Sequence, residues 1–593
     1  METYSSKDAQ NQFGEVLLKA QHGPVCIKRY NKAAAYVVSA SDFEAFQEYQ
    51  AQQKNEQGTA PQAEASAADN KQIKVGITQY PGSLHASFGR QMADAYLQAF
   101  IMRPPLRYGS DGQLHGKRYV SLPTLDNGDV NIITQDDGQR SMAVTFRIIP
   151  EACWGDGSAI VSDDFKLRWE ISCHPDLDTR SKSWFQRIQR FEQVDDKTFV
   201  LHFKGVVNEF SDISPLTPLN ARLERPVFES NPVEYQKNSL YRTQPTNPAL
   251  WNGPFCLESM VSRSEYILVR NRHWFGKQAH YERIRVLAVE DVVALESAVL
   301  SGAVDVAGYG MQTIQALAVE ELHGHDFKVI FGTSALLMNV RLNLDNPILA
   351  DVRVRQALLY ALNRAQFNQD YFAGKQVIAN GHPSEKVIEG VPCYDFDAAK
   401  AIQLLEEAGW DSIEQGIRHN RQGEPLRLEL VSAIGHKEHE LVQQWMQMEL
   451  RKIGIDLHLQ NYTTTLYVNQ IMSKRQFSAL ALNSIGVGAD LQYRNLYHSS
   501  SVPSAANSFA GNNLADFSHE EVDQLIEEFD AAMDGDERRR LGVAIQRIVF
   551  EELPIIPMFW RPSVNIIPSW LKGFQPNCYG VGNSSRVEDW YQE

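Results

Sequence analysis

The sequence lacks any apolar run of the roughly 18 to 20 residues that a membrane-spanning helix needs, so we expect no membrane insertion. Its start lacks the basic and then apolar region of a secretory signal, which predicts a cytoplasmic protein if this N-terminus is genuine. The motifs GxSxG, HExxH, CxxC and the P-loop are also missing. We therefore predict no catalytic residues, no metal, no cofactor and no enzymatic activity.

The chain has fewer basic than acidic residues. It contains 57 lysines and arginines and 73 acidic residues, which give a formal net charge of -16. This balance disfavours a broad nucleic-acid surface, although a small DNA-binding module stays possible. The six cysteines are widely spaced, which favours buried free thiols over a disulfide framework. At 593 residues the chain is too long for one core, so several domains are expected.

Residues 50–72 are rich in Gln, Ala, Glu and Asn and contain no aromatic residue. Such a segment cannot bury enough surface to offset its ordering entropy, so we predict a flexible linker over 51–72. Residues 1–50 show the order helix, strand, strand, helix, with Ser6 and Ser41 as helix caps and strands at 25–28 and 34–38.

This order, the SxxDA-like start at 5–9 and the hairpin ending Tyr-Val-Val-Ser at 36–39 resemble the Phd/YefM antitoxins. The resemblance implies a small α+β module that forms a homodimer and binds operator DNA. Lys7 and Arg29 would then contact phosphates, with solvated surface charge as the alternative for each. The family's toxin-masking tail is replaced here by the linker and a large domain.

Residues 331–364 carry the most informative pattern, in which an apolar strand, a proline-bearing loop and the helix start DVRVRQAL follow one another. This stretch resembles the family 5 extracellular solute-binding proteins, the receptors of peptide and nickel ABC importers. Seven further segments follow in the family's order, and they begin near residues 73, 145, 252, 266, 284, 394 and 553. The resemblance therefore extends over residues 73–593.

Local patterns within this region predict individual elements. Gly157 supplies turn freedom, and Ser162 is placed to cap a helix whose first turn holds Asp163 and Asp164. Residues 199–203 alternate between apolar and polar side chains, which predicts a half-buried strand.

The resemblance implies an α/β fold with two lobes, of the type II periplasmic-binding-protein kind with an extra subdomain, preceded by the small α+β module. The expected domains are a first lobe with its subdomain at 73–334, a second lobe at 335–483, and a return to the first lobe at 484–593. The crossings between lobes would lie near 333–337 and 483–488.

A cleft between two lobes can close around a ligand and exclude water, and aromatic side chains with polar tips suit its walls. The predicted ligand-binding residues are Tyr80, Tyr309, Asn483, Asp490, Trp251 and Trp560. For each aromatic residue, ordinary core packing is the alternative. The histidine pairs at 323/325 and 436/439 could bind metal, but a solvated surface position is the expected one.

Peptide receptors of this family usually pair the ligand's ammonium group with an aspartate at the return crossing. Here the corresponding position falls near Ile485, and Asp490 matches a later acidic position. A buried ammonium group without a countercharge would be costly. Either Asp490 substitutes for the aspartate, or the ligand is not a peptide with a free N-terminus.

These patterns lead to two hypotheses. In the first, the protein is the substrate-binding protein of an ABC importer, binds a peptide or peptide-like solute by lobe closure, works with an ABC permease and is periplasmic. In the alternative, it is a cytoplasmic ligand-responsive regulator whose Phd-like module binds DNA. The regulator hypothesis requires operator binding that weakens steeply with salt.

Overall fold

The computed structural model describes residues 2–5, 19, 25–29, 32–37, 71–108, 114–115, 119–134, 139–208, 210–261, 264–381, 388–486, 493–507, 509–576 and 582–593. The chain divides into two compact units, Met1–Asn70 and Lys71–Glu593. In the ranges just given, no helix is both long enough and apolar enough to cross a membrane.

The first unit contains a three-stranded sheet formed by β1 (Glu2–Ser5), β2 (Val25–Arg29) and β3 (Lys32–Val37). β1 runs parallel to β2, and β2 pairs antiparallel with β3. The predicted hairpin is thereby confirmed, whereas β1 was not predicted. The helices predicted from Ser6 and Ser41 lie outside the described residues.

The second unit is a mixed α/β structure. Its strands are β4 (Gln72–Thr78), β5 (Arg107–Tyr108), β6 (Leu114–His115), β7 (Val130–Thr134), β8 (Arg140–Arg147), β9 (Ile188–Asp195), β10 (Thr198–Phe203), β11 (Phe255–Val261), β12 (Glu265–Arg270), β13 (Arg283–Val289), β14 (Val306–Tyr309), β15 (Phe327–Leu342), β16 (Val377–Ile378), β17 (Ser412–Glu414), β18 (Ile417–His419), β19 (Arg427–Ala433), β20 (Asp456–Tyr462), β21 (Leu480–Gly486), β22 (Ile555–Pro568), β23 (Leu571–Lys572) and β24 (Tyr591–Gln592).

The α-helices of the same unit are α1 (Met92–Ile101), α2 (Ser162–Cys173), α3 (Lys182–Gln186), α4 (Ala221–Ser230), α5 (Tyr235–Asn238), α6 (Leu240–Thr243), α7 (Val292–Leu300), α8 (Thr313–His323), α9 (Val352–Tyr360), α10 (Arg364–Phe372), α11 (Ala398–Glu407), α12 (Lys437–Lys452), α13 (Thr464–Leu466), α14 (Tyr493–Tyr497), α15 (Glu520–Ala531) and α16 (Gly535–Glu552).

Two long antiparallel strands, β15 and β22, connect the halves of the main sheet. The strand order is β11-β12-β13-β4-β14-β22-β15-β21-β19-β20. β4 is parallel to both β13 and β14, and β19 is parallel to both β20 and β21. β22 pairs with β14 at one end and with β15 along most of its length, so β15 and β22 are the strands that cross between the lobes.

Separate hydrophobic cores mark the two lobes and a subdomain. One core surrounds Val75 on β4, and a second surrounds Val340 on the other side of the crossing strands. A third lies on the four-stranded sheet β7-β8-β10-β9, where the rings of Phe146 and Phe199 stack 5.4 Å apart. The predicted two-lobed α/β fold with an extra subdomain is confirmed.

The return to the first lobe occurs later than the predicted residue 484. Tyr493 on α14, Phe529 on α15 and Ile545 on α16 all belong to the core of the second lobe. The chain reaches the first lobe only along β22, where Ile566 and Ile567 pack into cores on that side. The boundary at 484 is therefore wrong, while the others stay predictions.

Several local predictions can be compared with the structure. Gly157 has φ of +85°, as its turn requires, and strand β10 alternates between half-buried and buried residues as expected. The predicted cap at Ser162 is wrong, because α2 begins at Ser162 itself and Val161 is the N-cap residue. Asp164 supplies the capping contact, since its carboxylate accepts a hydrogen bond of 2.9 Å from the Val161 N–H.

Five cysteines fall in the described part of the chain, and all five are free thiols. Cys26 and Cys256 are buried, which agrees with the expectation for these two. Cys153, Cys173 and Cys393 are half-buried.

Candidate functional site

The two lobes meet where helices α8 and α12 begin. The Thr313 N–H, at the first residue of α8, donates a hydrogen bond of 2.7 Å to Glu438 Oε1 in the first turn of α12. Glu438 is fully buried. The first N–H groups of a helix have no partner within that helix, and negative charge is favourable at a helix N-terminus. Glu438 therefore caps a helix of the opposite lobe.

Arg561 on β22 completes this contact, which we call the seam (Thr313, Glu438 and Arg561). Its Nη2 lies 2.8 Å from Glu438 Oε2, and only 12% of the Arg561 side chain is exposed. The two groups are close but are not aligned as a hydrogen bond. The seam thus joins the start of a first-lobe helix, the start of a second-lobe helix and a crossing strand through one buried carboxylate.

A pair of histidines lies beside the seam at the start of α12. The rings of His436 and His439 stack with their centroids 3.9 Å apart. His439 is buried, and its ring nitrogens lie 3.0 Å from Ser484 Oγ and 3.4 Å from Ser432 Oγ. The expectation of a solvated surface position is therefore wrong for His439.

Burial makes both histidines weak bases. Burial, reinforced by the positive charge of Arg561, lowers the pKa of His436 to about 3. Burial lowers the pKa of His439 well below its usual value, with smaller contributions from His436 and Arg561. Both rings are consequently neutral near pH 7 and can accept or donate hydrogen bonds according to their tautomer.

Tyr309 approaches the seam from the end of β14. Burial raises the pKa of the Tyr309 hydroxyl, and the positive charge of Arg561 opposes that shift. The neighbouring glycines fix the loop, because a Cβ at Gly310, whose φ is +101°, would collide with Thr78. A Cβ at Gly308 would likewise collide with the Tyr96 hydroxyl. The close packing of these glycines holds Tyr309 in place.

Asn483 and Trp560 belong to the opposite face of the crossing strands. Asn483 pairs with Asn339, and Trp560 pairs with Leu337. Side chains at alternate positions of a strand share a face, so Leu337, Asn339 and Arg341 lie on one face of β15 together with Asn483 and Trp560. Ser484 and Arg561 lie on the face that carries the seam.

The structure does not bring the other predicted residues to the seam. Tyr80 follows β4 and is 45% exposed. Trp251 is fully buried in the first-lobe core, and its indole N–H donates to Pro245 O at 2.8 Å, so we leave it out of the candidate site. Asp490 and Lys7 lie outside the described residues, and Arg29 is the last residue of β2.

Two adjoining open grooves follow the junction between α8, α10 and α12. Their volumes are about 440 and 380 Å³, and both are lined in part by Asp370 and Tyr371. The larger one also contacts Lys437 and Glu440, which flank the buried residues Glu438 and His439. These grooves give solvent access beside the seam.

Sequence reasoning missed all three residues of the seam. Glu438 looks like an ordinary acidic residue in the first turn of a helix, and nothing local indicates a contact with Thr313, 125 positions away. Arg561 likewise looks like a polar residue in an apolar strand. Within the described ranges, no group of three or more His, Cys, Asp or Glu residues could hold a metal ion.

Comparison with known proteins places the chain in a family. Residues 135–504, more than half of the chain, match the bacterial extracellular solute-binding proteins, family 5 (middle region). Residues 1–72 match the antitoxin Phd_YefM of type II toxin-antitoxin systems. A curated protein of Brucella ovis is 25% identical over 274 residues, which are 46% of this chain and 50% of that protein. The chain thus spans about half the length of that relative.

Longer matches come from other relatives and from solved structures. The oligopeptide-binding protein AppA of Bacillus subtilis is 22% identical over 71% of this chain and 76% of its own. The oligopeptide-binding protein of Thermus thermophilus, solved with a pentapeptide, superposes with a TM-score of 0.73 at 21% identity, covering 88% of this chain and 97% of that one.

The NikZ protein of Campylobacter jejuni, solved with Ni(L-His), gives a TM-score of 0.71 at 18% identity, over 88% of this chain and all of that one. These structures agree in fold with the two lobes and the crossing strands described above. The chain belongs to the bacterial extracellular solute-binding proteins of family 5.

Proposed function

We propose that residues 71–593 bind a peptide or peptide-like solute between the two lobes and deliver it to an ABC importer, without catalysing a reaction. The observation that carries this proposal is the seam, where a buried carboxylate joins both lobes and a crossing strand. Family membership and the oligopeptide-binding relatives support the same conclusion.

The geometry suggests how closure works. Opening the lobes would separate Thr313 from Glu438 and expose the carboxylate to water, whereas closing restores the cap. A ligand shifts this equilibrium only if it binds the closed form more tightly than the open form. The polar contacts at the seam therefore help to determine the equilibrium between the open and closed forms, which ligand binding then shifts.

Asn483 and Trp560, on one face of the crossing strands, are the predicted residues that we retain as walls of the cleft, while Tyr80, Tyr309 and Asp490 stay predictions. Ile485 occupies the position where an ammonium-pairing aspartate was expected, and it is half-buried against the apolar cluster of Leu337 and Trp560. An apolar side chain there cannot neutralise an ammonium group. Peptide-like solutes without a free N-terminus are consequently included in the proposal.

Binding can be measured with the full chain. Isothermal titration with tri- to pentapeptides, each offered with a free or an acetylated N-terminus, should give dissociation constants at or below the micromolar range. The radius of gyration measured by X-ray scattering should fall when ligand is added, because the lobes close. If neither series binds, and no peptide changes the scattering, the proposal is wrong.

We further propose that the protein acts in the periplasm beside its permease, in keeping with its family. Intact mass spectrometry of the native protein from separated periplasmic and cytoplasmic fractions tests this point. Recovery in the periplasm supports import. Recovery solely from the cytoplasm would contradict it and would favour the regulator hypothesis.

For the N-terminal module we propose homodimer formation and DNA contact through Lys7 and Arg29, because residues 1–72 match the antitoxin family. Sedimentation of the full chain should show a dimer. Electrophoretic mobility shift with its own promoter DNA should show binding that weakens steeply with salt and falls in the double variant Lys7→Ala, Arg29→Ala. A monomer with no shift at low salt would contradict both points.

A further inference from the structure

The opposite face of the crossing strands carries a buried positive charge that has no hydrogen-bond or ion-pair partner among the described residues. Arg341, near the end of β15, has no exposed surface. Across all the described residues, none lies within hydrogen-bonding distance of its Nε, Nη1 or Nη2 in suitable geometry, and no carboxylate forms an ion pair with it. A guanidinium group has five N–H donors and no acceptor, so burying it in this way is costly.

Other buried arginines of this chain show what a satisfied site looks like. Arg355 on α9 is 3% exposed, and its guanidinium donates to Leu349 O, Ala350 O and Glu552 O at 2.7 to 2.9 Å. It also pairs with the Glu552 carboxylate at 3.0 Å. Arg341 differs from this pattern. The titratable groups that act on its charge are the phenols of Tyr467 and Tyr497, and burial raises the pKa of both, so they are uncharged near pH 7.

Unpaired acceptors lie on the same face as Arg341. Asn339 is fully buried and donates through Nδ2 to Leu337 O at 3.1 Å, but its Oδ1 has no hydrogen-bond partner within the described ranges. Asn483, directly opposite Asn339 on β21, likewise has an Oδ1 that accepts no hydrogen bond from the part of the chain that the structure describes. Two positions along a strand are about 7 Å apart, and directly opposed Cβ atoms are about 5 Å apart. The three side chains therefore form one polar row.

A bulge interrupts the pairing of β15 with β22 beside this row. Met338 pairs with Phe559, but the next residue, Asn339, pairs with Pro557, so Met558 is the extra residue. Bulges of this kind re-aim side chains and occur near functional sites. The row is also graded in exposure, because Arg341 and Asn339 are buried whereas Asn483 is half-buried.

We propose that Arg341, Asn339 and Asn483 form a subsite that receives a carboxylate together with a neighbouring N–H or O–H donor of the bound solute. The guanidinium takes the carboxylate in a two-bond contact, and the two amide oxygens accept from the adjacent donors. The solute enters from the Asn483 end. This inference rests on the proposed function and specifies its ligand class as carboxylate-bearing solutes, such as peptide ends or hydroxy acids.

The first test measures the unfolding temperature of the full chain in low-salt buffer and in equal concentrations of sodium acetate and sodium chloride. Arg341→Met should raise the unfolding temperature in low-salt buffer, because it replaces an unpaired buried charge with an apolar chain of similar length. Arg355→Met is the matched control and should lower it. Acetate should stabilise the wild-type protein more than chloride does, and this difference should vanish in Arg341→Met.

The second test titrates trialanine and trialanine amide, which differ in their terminal carboxylate. Wild-type protein should bind trialanine about tenfold more tightly than the amide, and Arg341→Met should remove this preference. Arg355→Met, where folded, should keep it.

Three outcomes would overturn the inference. The first is that acetate raises the unfolding temperature of Arg341→Met as much as that of the wild type. The second is that acetate and chloride raise the unfolding temperature of the wild type equally, because the site then binds any inorganic anion and does not recognise a carboxylate. The third is equal binding of both peptides by wild type and variant, which leaves the proposed peptide function intact. Conversely, an acetate response that depends on Arg341 without peptide binding would support the subsite and reject peptides as the ligand.

Discussion

Replacing Glu438 with alanine is expected to lower the free energy of unfolding by about 3 kcal/mol. The substitution leaves the Arg561 guanidinium, 12% exposed, without its countercharge, and it removes the acceptor of the Thr313 N–H. Loss of a helix cap contributes about 1 kcal/mol of this total. Urea denaturation followed by tryptophan fluorescence would measure the change.

The double variant Glu438→Leu, Arg561→Met separates the cost of the unpaired Arg561 charge from the cost of the lost helix cap. Removing both charges avoids an uncompensated buried ion, and apolar replacements of buried ion pairs are often neutral. The double variant should therefore regain most of the stability that Glu438→Ala loses. The single variants Glu438→Leu and Arg561→Met complete the comparison. If the double variant loses as much unfolding free energy as these two lose together, the two charges do not interact.

A surface pair supplies the matched control. Arg539 and Asp536 lie 2.8 Å apart on α16, but their side chains are 76% and 82% exposed. Exposed pairs contribute at most about 1 kcal/mol, because water and salt screen them. Arg539→Ala should leave the denaturation midpoint nearly unchanged, so an equal effect at both sites would reject the special role of the seam.

The same variant reports on lobe closure. If the seam favours the closed form, Glu438→Ala should increase the radius of gyration of the ligand-free protein and weaken the binding of any solute that requires closure. An unchanged radius would confine the role of Glu438 to stability.

The fold was predictable because its signals are local and ordered along the chain. The segment that begins near residue 73, the helix start at Asp351 and the alternation at 199–203 each depend on neighbours within a few residues. The structure confirms this helix start, and it shows in addition that Asp351 caps α9, since its carboxylate accepts a hydrogen bond of 2.9 Å from the Arg353 N–H. The order of these segments, which is that of the family 5 solute-binding proteins, then predicted the two-lobed arrangement that no single segment could specify.

The candidate site was much less predictable, because it consists of contacts between distant segments. Glu438 and His439 follow a glycine and lie in a first helical turn of charged and polar residues, which is the usual pattern of a solvated helix start. Burial of both residues depends on α8 and β22, which are remote in sequence. Arg341 looks like a polar residue at the end of a strand. It is buried because β15 lies between β21 and β22, and because the segments that carry Tyr467 and Tyr497 lie near it.

The error at the return crossing has a similar cause. The segment at 483–488 ends a strand that pairs with β15, so it lies at the crossing as predicted. The helices that follow carry apolar faces, but periodicity alone does not say which lobe those faces join. Phe529 and Ile545 join the second lobe because β15, β21 and α12 already present an apolar surface there.

Lowering the pH from 7.5 to 5 is expected to destabilise the protein through His439 by about 2 kcal/mol. Burial holds the pKa of His439 in the folded state well below 6.5, so the unfolded chain binds the proton more readily. Stability rises with pH wherever the unfolded state binds more protons. The contribution is therefore complete above pH 6.5 and is lost progressively as the pH falls below it.

The variant His439→Gln removes this contribution while His436, which stacks on it, stays in both proteins. Asp164 acts in the opposite sense, because burial raises the pKa of its carboxyl to about 7, but its effect is the same in both proteins. The difference in unfolding free energy between wild type and His439→Gln should narrow or reverse as the pH falls, since glutamine does not titrate. Urea midpoints at pH 7.5, 6.5, 5.5 and 5.0 would give this difference directly.

His325 provides the control, since its side chain is 75% exposed and pairs with Asp326 at the surface. His325→Gln should follow the wild-type pH profile, because the substitution changes only a side chain at the surface. If His439→Gln also follows the wild-type profile, the imidazole of His439 is hydrated in solution. In that case the closed packing of α12 against Ser432 and Ser484 would not persist at equilibrium. A flattened profile would instead show that His439 stays buried and neutral in the folded protein.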